Sequence, residues 1–69
     1  MDIQEAARQI ANEENWHAWN FECITGGVLC TGGVCPPKLR GPNKGEPNYR
    51  KADPATIRKV FVPRDMLKN

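Results

Sequence analysis

Apolar residues at Ile3, Ala6, Ala7, Ile10 and Ala11 recur at intervals of three and four, and Gln4, Glu5, Arg8, Gln9, Asn12 and Glu13 fill the positions between them. This is the period of a helix with one apolar stripe and one solvated face. Asp2-Ile3-Gln4-Glu5 has the spacing of a capping box, in which the Asp2 carboxylate accepts from first-turn amides. The pattern therefore predicts a helix that starts at Ile3 and runs over 3–14. The stripe is mostly alanine, so it buries little per residue but lets another backbone come close. That neighbour is either a sheet or the same stripe of a second copy, and helix–helix dimerisation is the expectation.

From Trp16 the period changes to two. Trp19, Phe21 and Cys23 alternate with Asn20, Glu22 and Ile24, the pattern of a strand with one buried face. Thr25-Gly26-Gly27 is predicted to turn the chain, and Val28 to Thr31 to pair back. The near-repeat Thr31-Gly32-Gly33-Val34-Cys35 predicts a second turn at its glycines and a third short piece, stopped by Pro36-Pro37. A small antiparallel meander over 16–35 results. From 36 to 54 prolines, glycines and basic residues follow one another without periodicity, which predicts an extended basic loop serving as a binding loop or a linker. In the C-terminal element, 55–69, Asp53-Pro54 offers a helix cap and first turn, whereas Val60-Phe61-Val62 is rich in strand formers. The valines tilt the reading to a strand over 57–62, then a helical turn from Pro63. The fold class is α+β, as a single small domain over 1–69.

A chain of 69 residues buries one small core at most, and at this size a metal, a disulfide or a partner often supplements it. Its few large apolar side chains leave none to wall a substrate cleft, so catalysis is not expected. The N-terminus carries acidic and amide residues where a signal peptide has a basic and then an apolar stretch. No segment approaches the roughly 20 apolar residues of a membrane span. The expectation is a cytoplasmic protein with no membrane partner. In that reducing compartment cysteines act as small buried groups, metal ligands or redox groups more often than as disulfides.

Cys23, Cys30 and Cys35 fall within thirteen residues, and His17 is the one histidine. Together they make the four N/S donors that structural zinc takes. Two things oppose this. There is no Cys-x-x-Cys knuckle, and in one strand the six residues from His17 to Cys23 span roughly 20 Å at about 3.3 Å each. The simpler reading is three buried thiols and no cofactor, with zinc the metal these donors would take if the chain bends near Asn20. A Cys30–Cys35 disulfide across Gly32-Gly33 is the minor alternative. Catalysis by a thiol needs a base and an orienting group that the chain does not offer, and iron–sulfur ligation needs a fourth cysteine.

Charge is divided along the chain: positions 1–35 sum to −4 and positions 36–69 to +6. A basic second half points to an acidic partner, either a larger protein with an acidic surface or nucleic acid. Arg40, Lys44, Arg50 and Lys51 are the candidate steering charges, with Tyr49 the aromatic among them. Pro36-Pro37-Lys38-Leu39-Arg40-Gly41-Pro42 has the composition of a polyproline II segment for a partner groove. Trp16 and Trp19 are the candidate anchors, one expected in the core and one at an interface. These observations converge on a small non-catalytic binding protein, expected as a homodimer, that docks on a larger macromolecule and modulates or inhibits it. Its size suits an accessory regulator of the kind phages and mobile elements carry. The alternative is a zinc-stabilised nucleic-acid-binding module that uses the basic loop.

Overall fold

A computed structural model of the protein describes residues 1–67. It is an α+β fold: helix α1 (Ile3–Ala11) is followed by strands β1 (Trp16–Ile24), β2 (Gly27–Val34) and β3 (Arg58–Pro63). The strands form one antiparallel sheet in the order β1-β2-β3. Short 3-10 turns lie at Tyr49–Lys51, Pro54–Thr56 and Arg64–Leu67. The predicted turn from Pro63 thus appears after β3, and the last two residues of the element predicted over 55–69 lie outside the described residues.

The helix starts where its cap predicts, since the Asp2 carboxylate accepts from the Glu5 amide at 2.9 Å. It ends at Ala11, short of residue 14, because Asn12 turns left-handed with φ 57 and its amide closes onto the Arg8 carbonyl. Arg58, reaching across from β3, donates to the Ala11 carbonyl and to Glu13 at 3.1 Å. Ala6, Ala7 and Ala11 are buried against the sheet together with Trp16, Ala18, Cys30, Val60 and Val62. The three alanines are therefore covered within the chain, while Ile10 of the same stripe stays 39% exposed. Helix–helix dimerisation through the alanines is corrected, because the sheet already covers them.

Only the first of the two glycine pairs turns the chain. Gly26 has φ +89 between β1 and β2, a conformation open to glycine at little cost. At the second pair neither glycine has positive φ, and both lie inside β2, opposite Ala18 and His17. Gly32 is there for space, because a Cβ on it would run into the His17 carbonyl oxygen and the Ala18 backbone. The third strand of the sheet is accordingly β3, paired to β2 from Gly27↔Pro63 to Gly32↔Arg58. Of the expected short piece at Val34-Cys35, Val34 is the last residue of β2 and Cys35 follows the strand.

Residues facing each other across an antiparallel pair share a face. Trp16, Ala18, Phe21 and Cys23 of β1 therefore share the helix side with Val34, Gly32, Cys30 and Val28, and with Val60 and Val62 beyond them. The helix reaches only one end of that face. Trp16 and Ala18 are buried beneath it, whereas Phe21 and Cys23 overhang and are exposed. The free edge of β1 is closed at the same end: the Gln4 side-chain amide both donates to the Ala18 carbonyl at 2.7 Å and accepts from its N–H at 3.1 Å. Arg8 Nε donates to the Trp16 carbonyl at 3.1 Å. These two helix side chains stand where another strand would pair.

The basic loop is not without order. Pro37 bridges Pro47, with the Lys38 amide on the Glu46 carbonyl at 2.8 Å, Gly45 on Lys38 at 2.9 Å and Asn48 on Pro36 at 2.8 Å. It is a small hairpin with its tip over 39–45. Its return runs through two short turns and docks on the end of β2, where the Asp53 amide donates to the Val34 carbonyl and the Val34 amide to Thr56 Oγ1, at 2.9 and 2.8 Å. No residue from 36 to 59 is buried, so hydrogen bonds, most of them between backbone groups, rather than a packed core hold this arm.

Candidate functional site

The bulge in β1 separates the two tryptophans. Ala18 opposes Gly32 and Asn20 opposes Thr31, which leaves Trp19 the extra residue with no partner on β2. Trp16, three residues earlier, is fully buried, and its indole N–H has no hydrogen-bond partner among the described residues. The assignment of Trp16 as a docking anchor is corrected: a side chain sealed between helix and sheet cannot reach a partner. Trp19 is 38% exposed and Tyr49 46%. Their rings meet edge to face, with centroids 6.0 Å apart and planes at 78°.

Tyr49 opens the turn Tyr49–Lys51, so Arg50 and Lys51 follow the aromatic contact directly in the same turn. Arg40 and Lys44 sit at the hairpin tip, exposed. None of these four cations has an ion-pair partner among the described residues. The structure thus brings Trp19, Tyr49, Arg50 and Lys51 together and sets Arg40 and Lys44 on the neighbouring hairpin.

It does not bring the four metal donors together. His17 opposes Gly33 and so lies on the open face of the sheet, while Cys23 and Cys30 oppose Val28 and Phe21 on the helix side. Cys35 follows β2, five residues beyond Cys30, which at about 3.3 Å per residue is roughly 16 Å of extended chain. Among the described residues no group of three or more His, Cys, Asp or Glu side chains is placed to hold a metal. The zinc assignment of Cys23, Cys30, Cys35 and His17 is corrected on this geometry, as is the Cys30–Cys35 disulfide, since the hairpin that would close it does not form and all three thiols are free. Burial pushes the Cys30 and Cys35 thiols above the ordinary value and keeps them protonated. Burial, and then the Arg8 guanidinium, push His17 below its ordinary value, and Arg8 Nη2 lies 3.3 Å from His17 Nδ1.

Other exposed groups on these surfaces carried no individual mark in the chain. On the open face Leu29 lies between Glu22 and Phe61, and Ile24 and Phe61 are exposed. Lys38, Leu39 and Asn48 line a trough against Pro36 and Pro37. Only the pairing of Pro37 with Pro47 creates that trough, and no side-chain period announces it. No helix among the described residues is long and apolar enough to cross a membrane. Comparison with protein-family models, with curated proteins and with solved structures finds no match.

Proposed function

We propose that this protein is a non-catalytic binding module that docks on an acidic surface of a larger protein and thereby modulates it. The observation that carries the reading is the exposed edge-to-face pair of Trp19 and Tyr49, flanked by cations that have no ion-pair partner among the described residues. Trp, Tyr and Arg are the side chains that most often anchor protein interfaces. Here they project from a sheet bulge and a short turn that are tied to each other, which limits the ordering cost of binding. Arg40 and Lys44 add long-range attraction on the approach path.

A second reading, single-stranded nucleic acid on the same surface, is favoured by the two aromatic rings beside Arg50 and Lys51. It ranks below the first because stacking needs open ring faces, and the edge-to-face geometry turns one ring into the face of the other. Capture from a lysate of the producing cells, with and without nuclease, separates the two. The proposal expects a protein partner that survives nuclease and is lost with the double variant Trp19→Ser, Tyr49→Ser. Capture that nuclease abolishes supports the second reading, and protein capture indifferent to both substitutions contradicts the proposal.

A further inference from the structure

The trough beside the arm's hairpin has a volume of about 630 Å³, within the roughly 300–1,000 Å³ of small-ligand clefts. Its walls divide by chemistry. Pro36, Pro37 and Leu39 are apolar, Lys38, Arg40 and Lys51 are cationic, and Asn48 contributes an amide. No carboxylate lines it, and among the described residues none pairs with any of its three cations. Leu39 is 80% exposed, so no described residue covers the apolar side chain that stands between Lys38 and Arg40. The walls are held by the hydrogen bonds of Lys38 to Glu46, Gly45 to Lys38 and Asn48 to Pro36, all at 2.9 Å or less, so the shape precedes any ligand.

A simple anion would satisfy the cations and leave the apolar wall in water, while a purely apolar group would strand three charges at its rim. A nucleobase finds no aromatic ring there, because none lines the trough and nearby Tyr49 is engaged with Trp19. We infer that the trough is a receptor for an acidic peptide segment with an apolar side chain set between carboxylates. The apolar residue packs on Leu39 and the two prolines, and the flanking carboxylates accept from Lys38, Arg40 and Lys51 in charge-assisted hydrogen bonds. This rests on the reading that the partner is an acidic protein, and it assigns the part of that partner which enters the arm. Lys51 joins the two surfaces, since it ends the turn whose first residue meets Trp19.

The test titrates a fluorescein-labelled peptide, Glu-Glu-Phe-Glu-Glu, into the full chain at low salt, beside Glu-Glu-Gly-Glu-Glu, Lys-Lys-Phe-Lys-Lys and an oligothymidine of similar length. The first peptide is expected to bind at least about tenfold more tightly than each of the others, a difference set by one apolar contact or by charge sign. Lys38→Gln with Arg40→Gln is expected to weaken it by a further tenfold or so, while Lys59→Gln, a cation of β3 away from the trough, leaves it unchanged. Equal binding of the glycine peptide, tighter binding of the oligothymidine, or indifference to the double substitution overturns the assignment. Unchanged thermal unfolding of the double variant shows that any loss is not a loss of fold. If the peptide fails to bind while a captured protein still depends on Trp19 and Tyr49, the trough assignment alone falls. If no such protein is captured but the peptide binds as expected, the trough stands and the wider docking reading falls.

Discussion

The helix-and-sheet scaffold and the arm between Pro36 and Ile57 are held by different forces. In the scaffold Trp16, Val62, Cys30 and three alanines are sealed between α1 and the sheet, and helix side chains close the edge of β1. The arm buries nothing and is shaped by backbone hydrogen bonds at its proline bridge and at the end of β2. The contrast teaches where each kind of chemistry resides. Side chains that set stability are concentrated in the first region, β3 included, while the exposed cations without an ion-pair partner among the described residues are concentrated in the second. A domain this small keeps the two apart because it cannot spare core residues for contact.

The largest expected effect breaks the scaffold. Trp16→Ala removes its biggest buried side chain and should cost about 3–5 kcal/mol, while Leu39→Ala in the arm should stay within about 0.5 kcal/mol, both read from chemical denaturation. Equal effects would erase the comparison. Next comes Gly32→Ala, whose methyl meets the β1 backbone and should destabilise by about 1–3 kcal/mol. A neutral result would mean that β1 and β2 do not approach as closely as the pairing requires.

Thiol chemistry sharpens the same line at lower amplitude. Cys23 overhangs the covered face and should alkylate in the folded protein, whereas Cys30 and Cys35, buried with raised thiol pKa values, should react only on unfolding. Mass spectrometry after a timed pulse counts the adducts, and two fast-reacting thiols would contradict the packing. The smallest effect concerns His17. Its folded pKa lies below the unfolded value near 6.5, so the unfolded chain binds the proton more readily. Its contribution is complete above about pH 6.5 and is lost as pH falls toward the folded value. His17→Gln should flatten the decline in stability between about pH 7 and 5, and an identical decline in the variant would remove His17 as its source.

Much of the scaffold was legible in the chain because its signals are local. The Asp2 cap, the alanine stripe and the valines of β3 each mark their element within a few residues. The second glycine pair misled for a physical reason: glycine serves a turn by its freedom of φ and a close approach by its lack of a side chain, and sequence does not separate the two. Phe21 and Cys23 do share the core side as their alternation implied, yet they are exposed because they lie beyond the part of that face which α1 covers. That one tryptophan would be buried was legible, but which one faces out was set by a bulge that only pairing with β2 defines. The cations of the arm were plain, while the trough among them depends on Pro37 meeting Pro47 across ten residues of chain.

The proposed function divides the molecule into the arm, which with Trp19 of the β1 bulge does the binding, and the rest of the scaffold, which holds the fold. Its most direct test is the affinity of the captured protein partner, measured across salt concentrations, for the natural chain and for the fourfold variant Arg40→Ser, Lys44→Ser, Arg50→Ser, Lys51→Ser. The account predicts that the natural chain loses affinity as salt rises, and that the variant binds weakly with little salt dependence while unfolding at the same temperature. Affinity that is the same at low and high salt, or a variant that binds as the natural chain does, would contradict it.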